Sequence, residues 1–316
     1  MEMRTQKMTP LTRQNLQGIW CSIQLPINQD NTINYNALEE EIEYLTSTSV
    51  QGLYSNGTAA EFYNQTEAEF DRIHEILATN CHRFNRPFQI GASHMSPVVS
   101  LERIQRTKSL MPQAFQVILP DWMKLSMEEV RAFFDQIVEA ADPVPIVIYN
   151  PGHAKTPLTP SDLKFLSEKY PAIIGVKTGA GDAEWYKEMR ILDNELAIFV
   201  PGHRLATGFK EGVARGSYSN LACLHPNATQ RWYETIQSDL DEGLKMERRI
   251  QTFFDISIIP LARAGFCDAA LDKLLWSLGG RMNTSTRLRW PYKSVDDSNL
   301  SKIRLAGRQL IPEFFK

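Results

Sequence analysis

Lys177 has the clearest capacity for chemistry in this sequence, because it directly follows the apolar residues 173–176. A short run of Ile, Gly and Val that is bounded by a turn predicts a buried strand. An ammonium group in an apolar site is costly, and desolvation lowers the pKa of an amine. A neutral amine can attack a carbonyl carbon and form a Schiff base. The alternative is structural, with Lys177 at the mouth of the strand and paired with a loop carboxylate.

Strands and helices alternate on both sides of this lysine. The predicted strands are residues 18–25, 51–56, 88–92, 115–119, 145–149, 173–177, 197–200 and 216–222. Helices are predicted between them, with Thr66, Ser126 and Thr159 as N-caps. This rhythm over about two hundred residues predicts an α/β fold, a parallel (β/α)8 TIM barrel. The rival, a doubly wound sheet, is disfavoured because no G-x-G-x-x-G follows the first strand.

The strand pattern stops near Pro226, and the rest of the chain is predicted to be helical. The helical stretches there are residues 232–254, 258–278 and 297–315. We therefore expect a barrel in residues 1–225, which carries the lysine, and a C-terminal helical extension in residues 226–316.

The composition excludes several classes of function. The 316 residues carry a net charge of −3, which provides no bulk attraction to nucleic acid or to an anionic membrane. No apolar run reaches the length of a membrane span, and residues 1–14 lack the apolar core of a signal peptide. The four cysteines form no C-x-x-C pair, so neither a zinc site nor a redox motif is indicated. His74, His82 and His94 show no metal-ligand spacing, and a reducing, cytoplasmic setting is expected.

Active-site groups of a (β/α)8 barrel lie at the C-terminal ends of its strands. This rule selects Thr58 and Ala59 after strand two, Trp122 after strand four, Tyr149 at the end of strand five, Gly202, His203 and Arg204 after strand seven, and Ser219 and Asn220 in strand eight. Tyr149 and Lys177 end neighbouring strands, so their side chains are expected to converge in the barrel mouth. That geometry suits a lysine nucleophile with a phenol that relays protons.

Three motifs together resemble those of the dihydrodipicolinate synthase / N-acetylneuraminate lyase family: Ile148-Tyr149-Asn150-Pro151, Ile174-Gly175-Val176-Lys177 and the upstream turn Gly57-Thr58-x-x-Glu61-Phe62. The resemblance implies a lysine-dependent (class I) aldolase or lyase on a (β/α)8 barrel. It implies a small keto acid, pyruvate or a 2-keto acid, and an aldehyde as substrates, and no metal or organic cofactor. It also implies a homo-oligomer, a dimer or tetramer.

The resemblance also implies roles for individual residues. Lys177 would form the Schiff base with the keto carbon, and Tyr149 would move protons to and from the carbinolamine. Thr58 would link Tyr149 into a hydroxyl relay. The backbone N–H groups of Thr58 and Ala59 would hold the pyruvate carboxylate, and Gly202 would supply a carbonyl after strand seven.

Departures from the family pattern bear on the substrate. Ala59 stands where members carry a hydroxyl residue, and Trp122 stands where the synthases place the second tyrosine of Pro-Tyr-Tyr. An indole N–H donates a proton but cannot relay one. The arginine that follows Tyr-Asn in the synthases has no clean counterpart. We therefore expect an aldehyde or sugar-acid partner other than that of dihydrodipicolinate synthesis.

Three functional hypotheses remain from the sequence. The first is a lyase or aldolase acting on pyruvate or a 2-keto-3-deoxy acid. The second is a 2-keto-3-deoxy sugar-acid dehydratase that uses the same lysine, and the third is a non-catalytic keto-acid-binding relative. His203 and Arg204 would anchor a second carboxylate or a polyol, or else Arg204 opens a helix and faces solvent. Glu61 and Asn150 are expected to brace their turns.

Overall fold

In a computed structural model that describes residues 10–179, 181–282 and 285–315, eight parallel strands close into a barrel in chain order. The strands are β1 (Gly18–Ser22), β2 (Gly52–Tyr54), β3 (Phe88–Gly91), β4 (Ala114–Val117), β5 (Ile146–Asn150), β6 (Ile173–Thr178), β7 (Ala197–Phe199) and β8 (Gly216–Tyr218). The predicted (β/α)8 barrel is therefore confirmed. Residues 1–9 of the polar N-terminal stretch lie outside the described residues.

Helices follow the strands and continue after the barrel. They are α1 (Tyr35–Thr46), α2 (Glu67–Arg83), α3 (Pro97–Thr107), α4 (Met127–Ala141), α5 (Pro160–Lys169), α6 (Ala183–Met189), α7 (Leu205–Lys210), α8 (Asn220–Leu224), α9 (Pro226–Ser238), α10 (Leu240–Ser257), α11 (Ile259–Arg263), α12 (Asp268–Gly279) and α13 (Ser298–Leu310). No helix within the described ranges is long and apolar enough to cross a bilayer.

The predicted N-caps of α2, α4 and α5 are present. Thr66, Ser126 and Thr159 each accept a hydrogen bond from the backbone three residues on, and each is part of a reciprocal capping box. Such a box satisfies two backbone donors that a helix start would otherwise leave unpaired. These caps explain why the helix starts could be predicted from the sequence.

Two predicted elements have different bounds. The eighth strand ends at Tyr218 instead of continuing to residue 222, because the Ser219 hydroxyl accepts from Ala222 N and caps α8. The predicted helix 232–254 belongs to two helices, α9 and α10, which are separated at Asp239. Asp239 accepts from Glu242 N and starts the second of them. The division of the chain at residue 225 stays a prediction.

The pairing of β5 with β6 contains one irregularity. Ile146 pairs with Ile173, but Val147 pairs with Gly175. Strand β6 therefore holds one extra residue, Ile174, at this point. Such a bulge reverses which face each later side chain of the strand occupies.

This bulge determines the direction of Lys177. Side chains alternate between the two faces of a strand, and Ile173 belongs to the large apolar cluster that includes the barrel's surrounding helices. Four residues on, Lys177 would face the same outer layer if the strand were regular. With the extra residue, Lys177 pairs with Tyr149 and faces the barrel interior.

The C-terminal helices are joined to the barrel through a buried ion pair. Lys273 of α12 lies 2.6 Å from the Glu61 carboxylate (Nζ to Oε1) and also donates to the carbonyls of Leu25 and Arg287. The other Glu61 oxygen accepts from Arg289 N at 3.0 Å. Glu61 thus braces the turn after β2, as predicted, and it does so by binding the C-terminal segment.

We expect Glu61→Gln to lower the free energy of unfolding by about 3–5 kcal/mol, because it leaves the Lys273 ammonium buried beside a neutral group. Denaturant unfolding at pH 7 measures this. Glu242→Gln is the control, since Glu242 pairs with Lys245 on the surface, where ion pairs contribute little. Equal effects of the two substitutions would contradict the buried-pair interpretation.

Candidate active site

Lys177 enters a cavity of about 380 Å³ at the C-terminal end of the barrel. Its Nζ lies 3.4 Å from the hydroxyl oxygen of Tyr54. It also lies 4.3 Å from the ring centroid of Tyr149, 4.7 Å from that of Tyr54 and 5.7 Å from that of Tyr218. Three phenol rings thus replace much of the water that an ammonium group normally holds.

This enclosure changes the acidity of the amine. Burial lowers the pKa of Lys177 to about 8, and the Asp272 carboxylate is the strongest charge opposing that shift. At neutral pH the uncharged fraction is on the order of 100-fold larger than for an ordinary lysine. The amine is therefore suited to nucleophilic attack on a carbonyl.

Tyr149 and Thr58 form the second part of the site. The two hydroxyl oxygens lie 2.9 Å apart, although Tyr149 belongs to β5 and Thr58 follows β2, which is not a neighbour of β5. Burial raises the pKa of Tyr149 to about 12, and the hydrogen bond with Thr58 opposes that shift. Tyr149 is therefore a protonated phenol at neutral pH, which can donate a proton and recover it through Thr58.

The turn Thr58–Ala60 presents backbone donors beside these side chains. The N–H groups of Ala60 and Glu61 donate to Gly57 O and Thr58 O within the turn. The N–H groups of Thr58 and Ala59 have no hydrogen-bond acceptor in the part of the chain that the structure describes. Consecutive free amides of this kind suit an anion such as a carboxylate.

The structure brings most of the predicted site residues to one cavity. Those lining it are Lys177, Tyr149, Thr58, Ala59, Asn220, His203 and Arg204. Asn220 Nδ2 and His203 Nδ1 are 3.2 Å apart, and the His203 ring stacks on Phe254. Burial lowers the pKa of His203 to about 4, so this imidazole is neutral and provides no anchoring charge.

Three predicted binding residues lie away from the cavity lining. Trp122 is 74% exposed, in the segment that follows β4. Ser219 is buried as the N-cap of α8. Gly202 packs behind the site, where a Cβ atom would come within 2.4 Å of the Ser219 hydroxyl oxygen.

Several residues that line the cavity were missed by sequence reasoning, and four of them carry phenol or carboxylate groups near its centre or wall. Tyr54 and Tyr218 come from β2 and β8, and Asp268 and Asp272 come from α12. The tyrosines look like ordinary core aromatics in short strands. The aspartates recur at a helical spacing of four, which places them on one face, but the sequence does not show that this face meets the barrel mouth. The described residues contain no group of three or more His, Cys, Asp or Glu that could hold a metal ion.

Comparison with known proteins identifies relatives over nearly the whole chain. The model of the Dihydrodipicolinate synthetase family matches residues 15–305. A 4-hydroxy-tetrahydrodipicolinate synthase of Ehrlichia canis (strain Jake) is 25% identical over 307 residues, which cover 95% of this chain and 99% of that protein.

Solved structures share the fold at lower identity. YagE, a prophage protein of the dihydrodipicolinic acid synthase family from E. coli K12 in complex with pyruvate, superposes with a TM-score of 0.81 at 18% identity, covering 94% of this chain and 99% of that one. A catalytic lysine mutant of the Ruminococcus gnavus sialic acid aldolase also gives a TM-score of 0.81, at 16% identity, covering 94% and 96%.

The acidity of Lys177 can be measured without any substrate. We expect its labelling rate with acetic anhydride to rise with pH and to level off near pH 8, because only the neutral amine reacts and burial lowers its pKa to about 8. Mass spectrometry of the labelled peptide gives the rate, and free Nα-acetyl-lysine in the same tube is the control. An ordinary lysine continues to rise toward about pH 10.4, and the same behaviour at Lys177 would contradict the desolvated amine.

Proposed function

We propose that this chain, which belongs to the dihydrodipicolinate synthetase family, is a Schiff-base-forming lyase or aldolase. Members of that family include lyases and aldolases. The proposed substrate is a 2-keto-3-deoxy acid that is cleaved to pyruvate and an aldehyde, or made from them. The observation that carries the proposal is the desolvated Lys177 amine beside the Tyr149–Thr58 pair.

The proposed reaction begins at the keto carbon. The neutral Nζ of Lys177 attacks it, and Tyr149 donates a proton so that the carbinolamine hydroxyl leaves as water. The resulting cationic iminium withdraws electrons from the C3–C4 bond. When the C4 hydroxyl loses its proton, that bond breaks, the aldehyde leaves, and pyruvate remains on Lys177 as an enamine until protonation and hydrolysis release it. The pyruvate complex of YagE and the catalytic lysine of the sialic acid aldolase agree with this scheme.

The Thr58–Ala60 turn is the proposed carboxylate site. The N–H groups of Thr58 and Ala59 would hold the pyruvate carboxylate beside the amine. Ala59 contributes no hydroxyl, and a lost hydrogen bond to a charged group is worth roughly 1.5–3 kcal/mol. We therefore propose that part of the binding energy comes from the other half of the substrate.

Dihydrodipicolinate synthesis itself is less well supported. Trp122 supplies no phenol, and its indole lies outside the cavity lining of this chain. Within residues 10–179, 181–282 and 285–315, the only arginine lining the cavity is Arg204 at its rim. A partner aldehyde that lacks a carboxylate needs neither of these groups.

Trapping tests the covalent step. Incubation with pyruvate and borohydride is expected to add one reduced pyruvyl group to Lys177, because reduction fixes the imine. Intact-protein and peptide mass spectrometry locate the group. Lys177→Arg is expected to abolish it, whereas Lys187→Arg, on the exposed face of α6, should not. An unmodified wild-type protein would overturn the proposed function. If the group is found on Lys177, product analysis with 2-keto-3-deoxy acids distinguishes cleavage from loss of water.

Tyr149→Phe tests the proton relay. We expect turnover to fall by roughly 10²–10⁴-fold, because the phenol proton is lost while the amine remains. Single-turnover kinetics combined with trapping measure this, and some pyruvyl adduct should still form. Thr58→Val, which keeps the shape and removes the relay hydroxyl, is expected to show a smaller loss. Unchanged turnover in Tyr149→Phe would contradict the assigned role.

A further inference from the structure

One wall of the cavity is supplied by a C-terminal helix. Asp268, Leu271, Asp272 and Leu275 of α12 all line the cavity. Their spacing of i, i+3, i+4 and i+7 places them along a single helical face. The same helix packs against the Thr58–Ala60 turn and against α8. This face, with its two carboxylates, therefore closes the barrel mouth beside the keto-acid site.

The charge of Asp272 affects the pKa values of the proposed reacting groups. Its carboxylate raises the pKa of both Lys177 and Tyr149. Burial raises the pKa of Asp272 itself to about 7, and Asp268 adds to that rise. Asp272 thus lines the same cavity as the amine and is poorly solvated.

Neither side-chain carboxylate has a hydrogen-bond or ion-pair partner in the part of the chain that the structure describes. Among the described residues, no side chain or backbone group forms a hydrogen bond with Asp268 or Asp272, and no Lys, Arg or His nitrogen lies within 4.0 Å of either. Lys273, the next residue, pairs with Glu61 instead. The half-buried Asp272 carboxylate needs donors, and a substrate in this cavity can supply them, whereas Asp268 is exposed to solvent.

The sign of the charge limits what that substrate can be. The described charged residues lining the cavity are Lys177, Arg204, Asp255, Asp268 and Asp272. In the proposed reaction the Lys177 charge is neutralised or carried by the iminium, and the pyruvate carboxylate is held by the turn. A second substrate carboxylate would then face Asp272, and like charges brought together at an interface are costly. Hydroxyl groups would instead donate hydrogen bonds to it.

We infer that Asp272, assisted by Asp268, is a specificity-determining residue that selects an uncharged, hydroxyl-bearing aldehyde half over one that ends in a carboxylate. This inference rests on the proposed function and specifies its substrate class. In this inference Asp272 recognises the aldehyde half of the substrate, and Lys177 alone forms the covalent bond.

The test compares two aldehydes in condensation with pyruvate by the full-length protein. Glyceraldehyde is uncharged and hydroxylated, and succinic semialdehyde carries a carboxylate. We expect the wild type to have the higher kcat/KM with glyceraldehyde. In Asp272→Asn the ratio of the two values is expected to shift toward the semialdehyde by roughly 10–100-fold, with a smaller shift in Asp268→Asn. Because the same amine serves both aldehydes, any change in its acidity cancels in the ratio.

Control variants distinguish failure of this inference from failure of the proposed Schiff-base function. Asp241→Asn, an exposed substitution on α10, should leave the ratio unchanged, and thermal unfolding checks that each variant is folded. If Asp272→Asn still traps pyruvate on Lys177 but its ratio stays at the wild-type value, the inference is wrong and the proposed function stands. A wild type that prefers the semialdehyde, with that preference lost in Arg204→Gln, also overturns it. If the wild type traps no pyruvate, both fail.

Discussion

Removal of water from the Lys177 ammonium group is the constraint on which the rest of this structure depends. An amine held within 5 Å of two phenol rings loses hydration that it cannot recover from apolar neighbours. The barrel accommodates this by lowering the amine's affinity for its proton rather than by providing an ion pair. Elsewhere in the chain the opposite solution is used, since Lys273 is only 2% exposed and lies 2.6 Å from the carboxylate of Glu61. The two lysines thus differ in environment, because one faces a cavity without an ion pair and the other is buried in one.

The ion pair of Lys273 also connects α12 to the turn beside the Lys177 cavity. Glu61 follows directly on the Thr58–Ala60 turn, so its contact with Lys273 ties the amides of that turn to α12. The same helix presents Asp272 to the cavity. One helix therefore both holds the Thr58–Ala60 turn and lines the cavity, so the C-terminal segment is part of the candidate site as well as a cover for the barrel.

Local sequence patterns predicted those parts of the fold that local physics determines. The capping boxes at Thr66, Ser126 and Thr159 and the short apolar runs identify helices and strands without knowledge of their neighbours. Strand order in a barrel then places Tyr149 next to Lys177. The predicted end of β8 was wrong because Ser219, which was assigned to the strand, instead caps α8.

Contacts between distant segments could not be predicted in this way. Tyr54 and Tyr218 meet Lys177 only because the barrel closes, and nothing in their own strands distinguishes them from core residues. Asp272 lies almost a hundred residues after Lys177, on a helix whose orientation is decided by tertiary packing. Trp122, selected because it follows a strand, is exposed and does not line the cavity.

Because of the bulge at Ile174, the number of residues between Ile173 and Lys177 decides which face of β6 the amine occupies. A change of one residue between Ile173 and Lys177 exchanges the inner and outer faces of the strand end, and the amine would pass from the cavity into the apolar layer beneath the helices. A change of two residues restores the face but moves the amine along the strand by about 6.6 Å, away from Tyr149. In evolution this strand can therefore tolerate substitution at some positions more readily than a change of length, so natural variation near Lys177 is expected as substitution, with insertions displaced to the loop that follows.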